Sequence, residues 1–175
     1  MRSIRLAVGE DCTAIASIYN DAISHQRSAD MDPVSTVNRQ EWLARHTWPH
    51  AVFVLEEDGS VLGWSSISPY RPGRRALAGA VEVSYYVDYE HHKKGIGAAL
   101  LSHAIDHSIS SGFDTIFAIL LDDNGPSIAL LEKFGFEQWG HLPGIANFDG
   151  KRVGQVYYGR TVNRQARTDI PAASG

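Results

Sequence analysis

The segment His91-His92-Lys93-Lys94-Gly95-Ile96-Gly97-Ala98 joins two stretches of different hydrophobic period. Before it, Ala80 to Val87 is an apolar, β-branched and aromatic run that reads as a strand. From Ile96 to Ser110, Leu100, Leu101, Ala104, Ile105 and Ile109 fall on one helical face, with His103, Asp106, His107 and Ser110 largely opposite. A strand that feeds a helix through a glycine turn commits the chain to an α/β (α+β) design. It also makes an anion site. The first N–H groups of a helix have no partner in the helix and lie at the positive end of its dipole, so they suit a phosphate. Glycines let that ligand approach the backbone, and Lys93 and Lys94 add positive charge.

The flanking sequence extends the pattern. Ile4-Arg5-Leu6 alternates as a short strand, and Ile15, Ile18, Tyr19, Ala22 and Ile23 then recur at helical spacing. A second helix is predicted across Ser35 to His46. Ala51 to Leu55 and Val61 to Ile67 are strands of a hairpin closed at Asp58-Gly59, residues suited to positive φ. Pro69 to Arg75, with two prolines and three arginines, reads as an exposed loop. Phe113 to Leu121 is another strand and Pro126 to Phe134 another helix, with proline in its first turn and Gly135 at its end. A last hairpin is expected from Phe136 to His141 and Val153 to Tyr158. The order predicts one domain over residues 1–162, with a twisted mixed sheet and helices on both faces, and a polar tail over 163–175.

Composition narrows the function. Sixteen Lys and Arg against 20 Asp and Glu give a formal charge of -4, which offers no general attraction to nucleic acid or to an anionic membrane. No run approaches the 18 or so apolar residues of a bilayer span. The lone Cys12 cannot form an internal disulfide, and with no signal-peptide pattern a cytoplasmic setting is expected. The glycine segment fits neither common phosphate motif. Leu100 stands where a dinucleotide fingerprint needs its third glycine, and the Gly150-Lys151 pair is followed by Arg152 and preceded by Ile145 where a P-loop needs Ser or Thr and glycine.

What the segment does resemble is the acetyl-CoA pyrophosphate motif of the GCN5-related N-acetyltransferases (GNAT), a strand followed by [Q/R]-x-x-G-x-[G/A] and a helix. With Ile18 to Ala22, Glu82 to Val87 and Asn124 to Phe136 in the same order, the chain is similar to the phosphinothricin and methionine sulfoximine acetyltransferase branch. The resemblance implies a GNAT fold whose sheet splays at the acetyl-CoA site. It places Tyr85, Tyr86 and Val87 along the pantetheine and Lys93, Lys94, Gly95, Ile96, Gly97 and Ala98 around the pyrophosphate. Asn124 and Ser127 fall beside the pantetheine arm, and a strand bulge near Val87 is implied as an N–H donor. Glu82 matches a carboxylate that faces a small-molecule amine. An ammonium group cannot attack a thioester, so a carboxylate that takes its proton serves as general base in a direct transfer. A homodimer is also implied.

The chain departs from that pattern at three places. His92 replaces the usual Gln or Arg, Leu131 replaces the Tyr or His that protonates the departing thiolate, and Leu77 to Ala80 replace a Tyr, Arg and Thr set. A protein N-terminus as acceptor, or a non-catalytic acetyl-CoA sensor, therefore stand as alternatives. Arg71, Arg74 and Arg75 suit an acidic substrate group through the guanidinium fork, or a solvated loop. His103 and His107 have the i, i+4 spacing of zinc ligands, but no third ligand is adjacent and no metal is expected. Cys12 is expected to serve packing or surface. One of Tyr85 and Tyr86 is expected in the core and the other in the cleft.

Overall fold

Alternation along Ala80–Val87 gives one strand two different faces: Val81, Val83, Tyr85 and Val87 point one way, and Glu82, Ser84 and Tyr86 the other. The computed structural model describes residues 1–162 and builds this strand, β4, into the middle of a seven-stranded sheet of order β1-β2-β3-β4-β5-β7-β6. The other strands are β1 (Arg2–Leu6), β2 (Ala51–Glu57), β3 (Ser60–Pro69), β5 (Thr115–Leu121), β6 (Glu137–Phe148) and β7 (Lys151–Thr161). All neighbours are antiparallel except β4 and β5. The expected tail lies outside the described residues.

Among the described residues, four α-helices cover the sheet. Helix α1 (Cys12–Ser24) packs Ile15, Ile18, Tyr19 and Ile23 on Val52, Val54 and Trp64, with Trp42 and Leu43 of α2 (Thr36–Ala44) against the same cluster. On the opposite face, α3 (Ile96–Ser110) and α4 (Gly125–Lys133) bury Leu101, Ala104, Ile105 and Leu131 on Val81, Val83, Ile116 and Val156. Ser35 caps α2 by accepting the Asn38 N–H at 3.1 Å, a contact worth about 1 kcal/mol. Asn20 ties the loop after α1 to the helix: its Nδ2 donates to the Val34 carbonyl at 3.0 Å and its Oδ1 accepts the Val34 N–H at 2.8 Å.

Most elements stand where the periodicity put them, including β4 and α3, and the Asp58-Gly59 turn has φ of 51° and 81°. Two details differ. The final hairpin is longer, with its turn at Asp149-Gly150, because polar residues in an edge strand break no core pattern and so leave no periodic signal. Within α3, His107 is buried and Ile109 is 48% exposed, the reverse of the expected faces. Phe53 of β2 packs edge-on against the rings of His103 and His107, and His107 Nε2 lies 2.7 Å from the Pro49 carbonyl, so this side of the helix is in contact. Cys12 is fully buried.

Candidate active site

Strands β4 and β5 pair over three residues only, Ala80 to Glu82 against Thr115 to Phe117. Beyond Glu82, β4 stays with β3 as far as the Gly63–Val87 pair, while β5 stays with β7 as far as Leu121 and Gln155. The sheet therefore opens into a cleft of about 570 Å³. The β3–β4 ladder runs without a register shift, so the expected bulge near Val87 is absent and the divergence of β4 from β5 alone makes the opening. Tyr85, Tyr86, Val87, Lys93, Gly95, Ile96, Gly97, Ala98, Asn124 and Ser127 all line it. Lys94, Glu82, Arg74 and Arg75 do not; Lys94 is exposed and its carbonyl accepts Arg2 Nη1 at 3.0 Å.

At one end of the cleft, α3 begins. Gly95 precedes it with φ 79°, a left-handed conformation that costs a side-chain-bearing residue about 1 kcal/mol. The space beside its Cα is open. The first helical bond runs from Ala99 N–H to the Gly95 carbonyl, leaving the N–H groups of Ile96, Gly97 and Ala98 free at the cleft. Lys93 lines the same end at φ 61°. His92 turns back instead, with Nε2 donating to the Val87 carbonyl at 3.0 Å and its ring stacked on Tyr89. These groups fit an elongated ligand with a phosphate at the helix end and an amide-bearing arm between the strands.

Along the cleft wall, Tyr85 and Tyr86 take opposite sides of β4. Tyr86 packs against Tyr19 and Trp64, with ring centroids 5.0 Å and 4.8 Å away. Burial pushes its phenol above the usual range. Tyr85 faces α3 and α4, and both tyrosines border the cleft, so the expected division between core and cleft is not what separates them. Beneath Tyr86, the Tyr19 hydroxyl donates to Asp30 Oδ2 at 2.6 Å and accepts from Ser28 at 2.7 Å.

Glu82 marks the fork itself, the last residue of β4 paired to both neighbours. Its pKa is raised above the ordinary 4.5, and desolvation is the sole cause, with no charged or hydrogen-bonding neighbour contributing. Across the ladder, Ser68 shares its face. The Ser68 hydroxyl is 2.9 Å from His46 Nε2, and His46 Nδ1 is 2.9 Å from the Trp42 carbonyl. A carbonyl only accepts, so Nδ1 carries the proton and Nε2 accepts from Ser68; burial lowers the His46 pKa and keeps the ring neutral. On the other side, Phe117 stacks on Tyr70 and meets Trp139 edge-on, an aromatic wall beside the carboxylate.

Arg71, Arg74 and Arg75 lie in an exposed loop, with the Arg71 guanidinium over the Tyr70 ring. Leu131 is fully buried and has no proton to give. Among the described residues no group of three potential metal ligands forms. The cleft also gathers Arg27, Ser28, Tyr89 and Gln155, which sequence reasoning missed. They come from a loop, a turn and the far strand, and no local spacing signals their convergence.

A parallel-strand fork, with a glycine-led helix at one end and an unpaired carboxylate at its apex, is a site suited to an elongated, phosphate-bearing ligand. Residues 13–136 match the Acetyltransferase (GNAT) family, and the chain belongs to it. YwnH of Bacillus subtilis is 38% identical over 163 residues, 92% of this chain and 99% of that protein. The L-methionine sulfoximine/L-methionine sulfone acetyltransferase of Pseudomonas aeruginosa is 34% identical over 153 residues, 85% of this chain and 88% of that enzyme. The crystal structure of the phosphinothricin acetyltransferase of Sinorhizobium meliloti in complex with acetyl-CoA aligns with a TM-score of 0.89 at 26% identity, covering 98% of this chain and 94% of that one. The protein is thus an acetyltransferase of GNAT fold that uses acetyl-CoA.

Proposed function

We propose that the protein transfers the acetyl group of acetyl-CoA directly to the primary amine of a small amino-acid-like substrate of the phosphinothricin or methionine sulfoximine type, with Glu82 as general base. The observation that carries this reading is the desolvated, unpartnered carboxylate at the fork of β4 and β5. A carboxylate with raised pKa is a stronger base than one in water, and it accepts the ammonium proton as the amine attacks. The relatives named for methionine sulfoximine and for phosphinothricin support the substrate class.

In this reading the free N–H groups of Ile96, Gly97 and Ala98, with Lys93 and the Gly95 turn, hold the pyrophosphate, and Lys94 adds charge from the rim. Main-chain groups of Tyr85, Tyr86 and Val87 take the pantetheine amides, opposite Asn124 and Ser127. Bound acetyl-CoA supplies the activated acyl group. Arg74 and Arg75 meet the acidic end of the substrate. A second copy of the chain covers the exposed Trp139 side of the aromatic wall, giving a homodimer. The single, buried Cys12 suits the reducing cytoplasm.

The test is release of CoA thiol from acetyl-CoA with methionine sulfoximine, phosphinothricin, a peptide amine or no acceptor. Turnover with the amino-acid analogues alone supports the reading. Turnover confined to the peptide redirects it to protein N-termini, and saturable acetyl-CoA binding with no release on any amine makes the protein a sensor.

A further inference from the structure

Leu131, at the α4 position where the resemblance places the proton donor for the departing sulfur, is a buried hydrocarbon. Among the described residues, the phenol of Tyr85 is a proton donor at the cleft with no acceptor. The Tyr85 hydroxyl is buried and has no hydrogen-bond partner among the described residues, although its ring borders the cleft and Ser127 lies beside it. An unsatisfied buried hydroxyl costs about 1–3 kcal/mol, which a ligand acceptor in the cleft would recover. Several other groups along the cleft are engaged. Ser28 donates to Tyr19, Tyr89 is sandwiched between His25 and His92, and His92 donates to Val87.

Strand geometry puts Tyr85 in the right relation to the base. It is three residues beyond Glu82, about 10 Å along the strand, and on the opposite face. Its ring reaches toward the start of α3, where Cε2 would lie 3.9 Å from a Cβ on Gly97. A thioester threaded through the fork therefore meets a base from one side of the sheet and an acid from the other. Attack and departure need that division, since the nucleophile enters and the leaving group exits on different sides of the acyl carbon.

We infer that Tyr85 is the general acid of the transfer, protonating the CoA sulfur in place of a residue on α4. The inference rests on the acetyltransferase reading above. The amine nitrogen forms its bond to the acyl carbon while Glu82 takes a proton from that nitrogen. The carbon–sulfur bond breaks with its electron pair on sulfur, and the Tyr85 O–H delivers its proton there to give the CoA thiol. The phenolate recovers a proton from water at the open cleft, and Glu82 releases its own to solvent. Burial raises the Tyr85 pKa, so the phenol still holds its proton at neutral pH.

The decisive variant is Tyr85→Phe, which keeps the ring against Gly97. Its kcat is expected to fall about 100-fold, with the KM for acetyl-CoA changed less than about twofold and the melting temperature retained. A second readout needs no turnover. In the wild type, thiolate absorbance of bound CoA appears at lower pH than in Tyr85→Phe, because the hydroxyl donates to the sulfur anion. An unchanged kcat in an active enzyme overturns the role of Tyr85 while leaving the acetyltransferase reading intact. A raised KM or lost acetyl-CoA binding at unchanged kcat overturns it too, making Tyr85 a cofactor contact. If no amine is turned over by wild type, the acetyltransferase reading fails, and coincident thiolate titrations in the two proteins then overturn this one separately.

Discussion

At the fork, Glu82 carries a charge that the fold does little to accommodate, and the consequences for activity and stability have opposite signs. Folding raises its pKa by desolvation. Below the ordinary value of 4.5 the carboxyl is neutral in both folded and unfolded chains. As pH rises through the folded pKa, the folded chain must hold a desolvated anion, and stability declines to a lower plateau. Glu82→Gln removes that decline, so its melting temperature exceeds the wild type at pH 8 and the gap narrows at pH 4. The same substitution lowers kcat by at least about 100-fold while acetyl-CoA affinity, read by calorimetry, stays within about twofold. Only the ionised base works, so wild-type kcat/KM falls on acidification with a midpoint above 4.5. A variant with full activity would remove Glu82 from the chemistry.

The start of α3 shows how an element trades its own stability for access. In the structure, a Cβ on Gly97 would sit 3.5 Å from Leu130 and 3.7 Å from Val87, ordinary contact with no clash. Gly97→Ala therefore stabilises the free protein by about 0.5 kcal/mol, seen as a melting temperature higher by about 1–2 °C. The methyl group also projects at the ligand side of the helix end, and acetyl-CoA affinity is expected to fall about tenfold by calorimetry. Equal affinity would place the phosphates elsewhere. This element was legible in the letters because a change of period, from two to 3.6, is a local property of β4 and α3. The β6–β7 hairpin was less so: most β6 side chains face outward, and an edge strand with polar residues resembles a loop.

Over the whole molecule, the two faces of the sheet are unequally covered. Helices α1 and α2 pack over β2 and β3, whereas Trp139, Leu142 and Ile145 of the edge strand β6 remain exposed. An uncapped edge with apolar residues invites a partner, and a second copy is the proposed one. Sedimentation of the wild type is expected to give a dimer, and Leu142→Asp with Ile145→Asp a monomer. A monomeric wild type would remove the dimer from the proposal.

The chain by itself determined the element order and the glycine-led helix start, because each is carried by short spacings and local conformational preference, while the family, and with it the proposal of Glu82 as base, came from the resemblance of its ordered motifs. Tertiary structure alone decided where β4 parts from β5, which face each tyrosine of β4 takes, and that Arg27, Ser28, Tyr89 and Gln155 meet in one cleft. It also reversed the roles of His107 and Ile109, since packing of Phe53 and the Pro49 carbonyl outweighs hydropathy there. These are products of long-range pairing, in which burial is settled by what lies opposite rather than by what lies next in the chain.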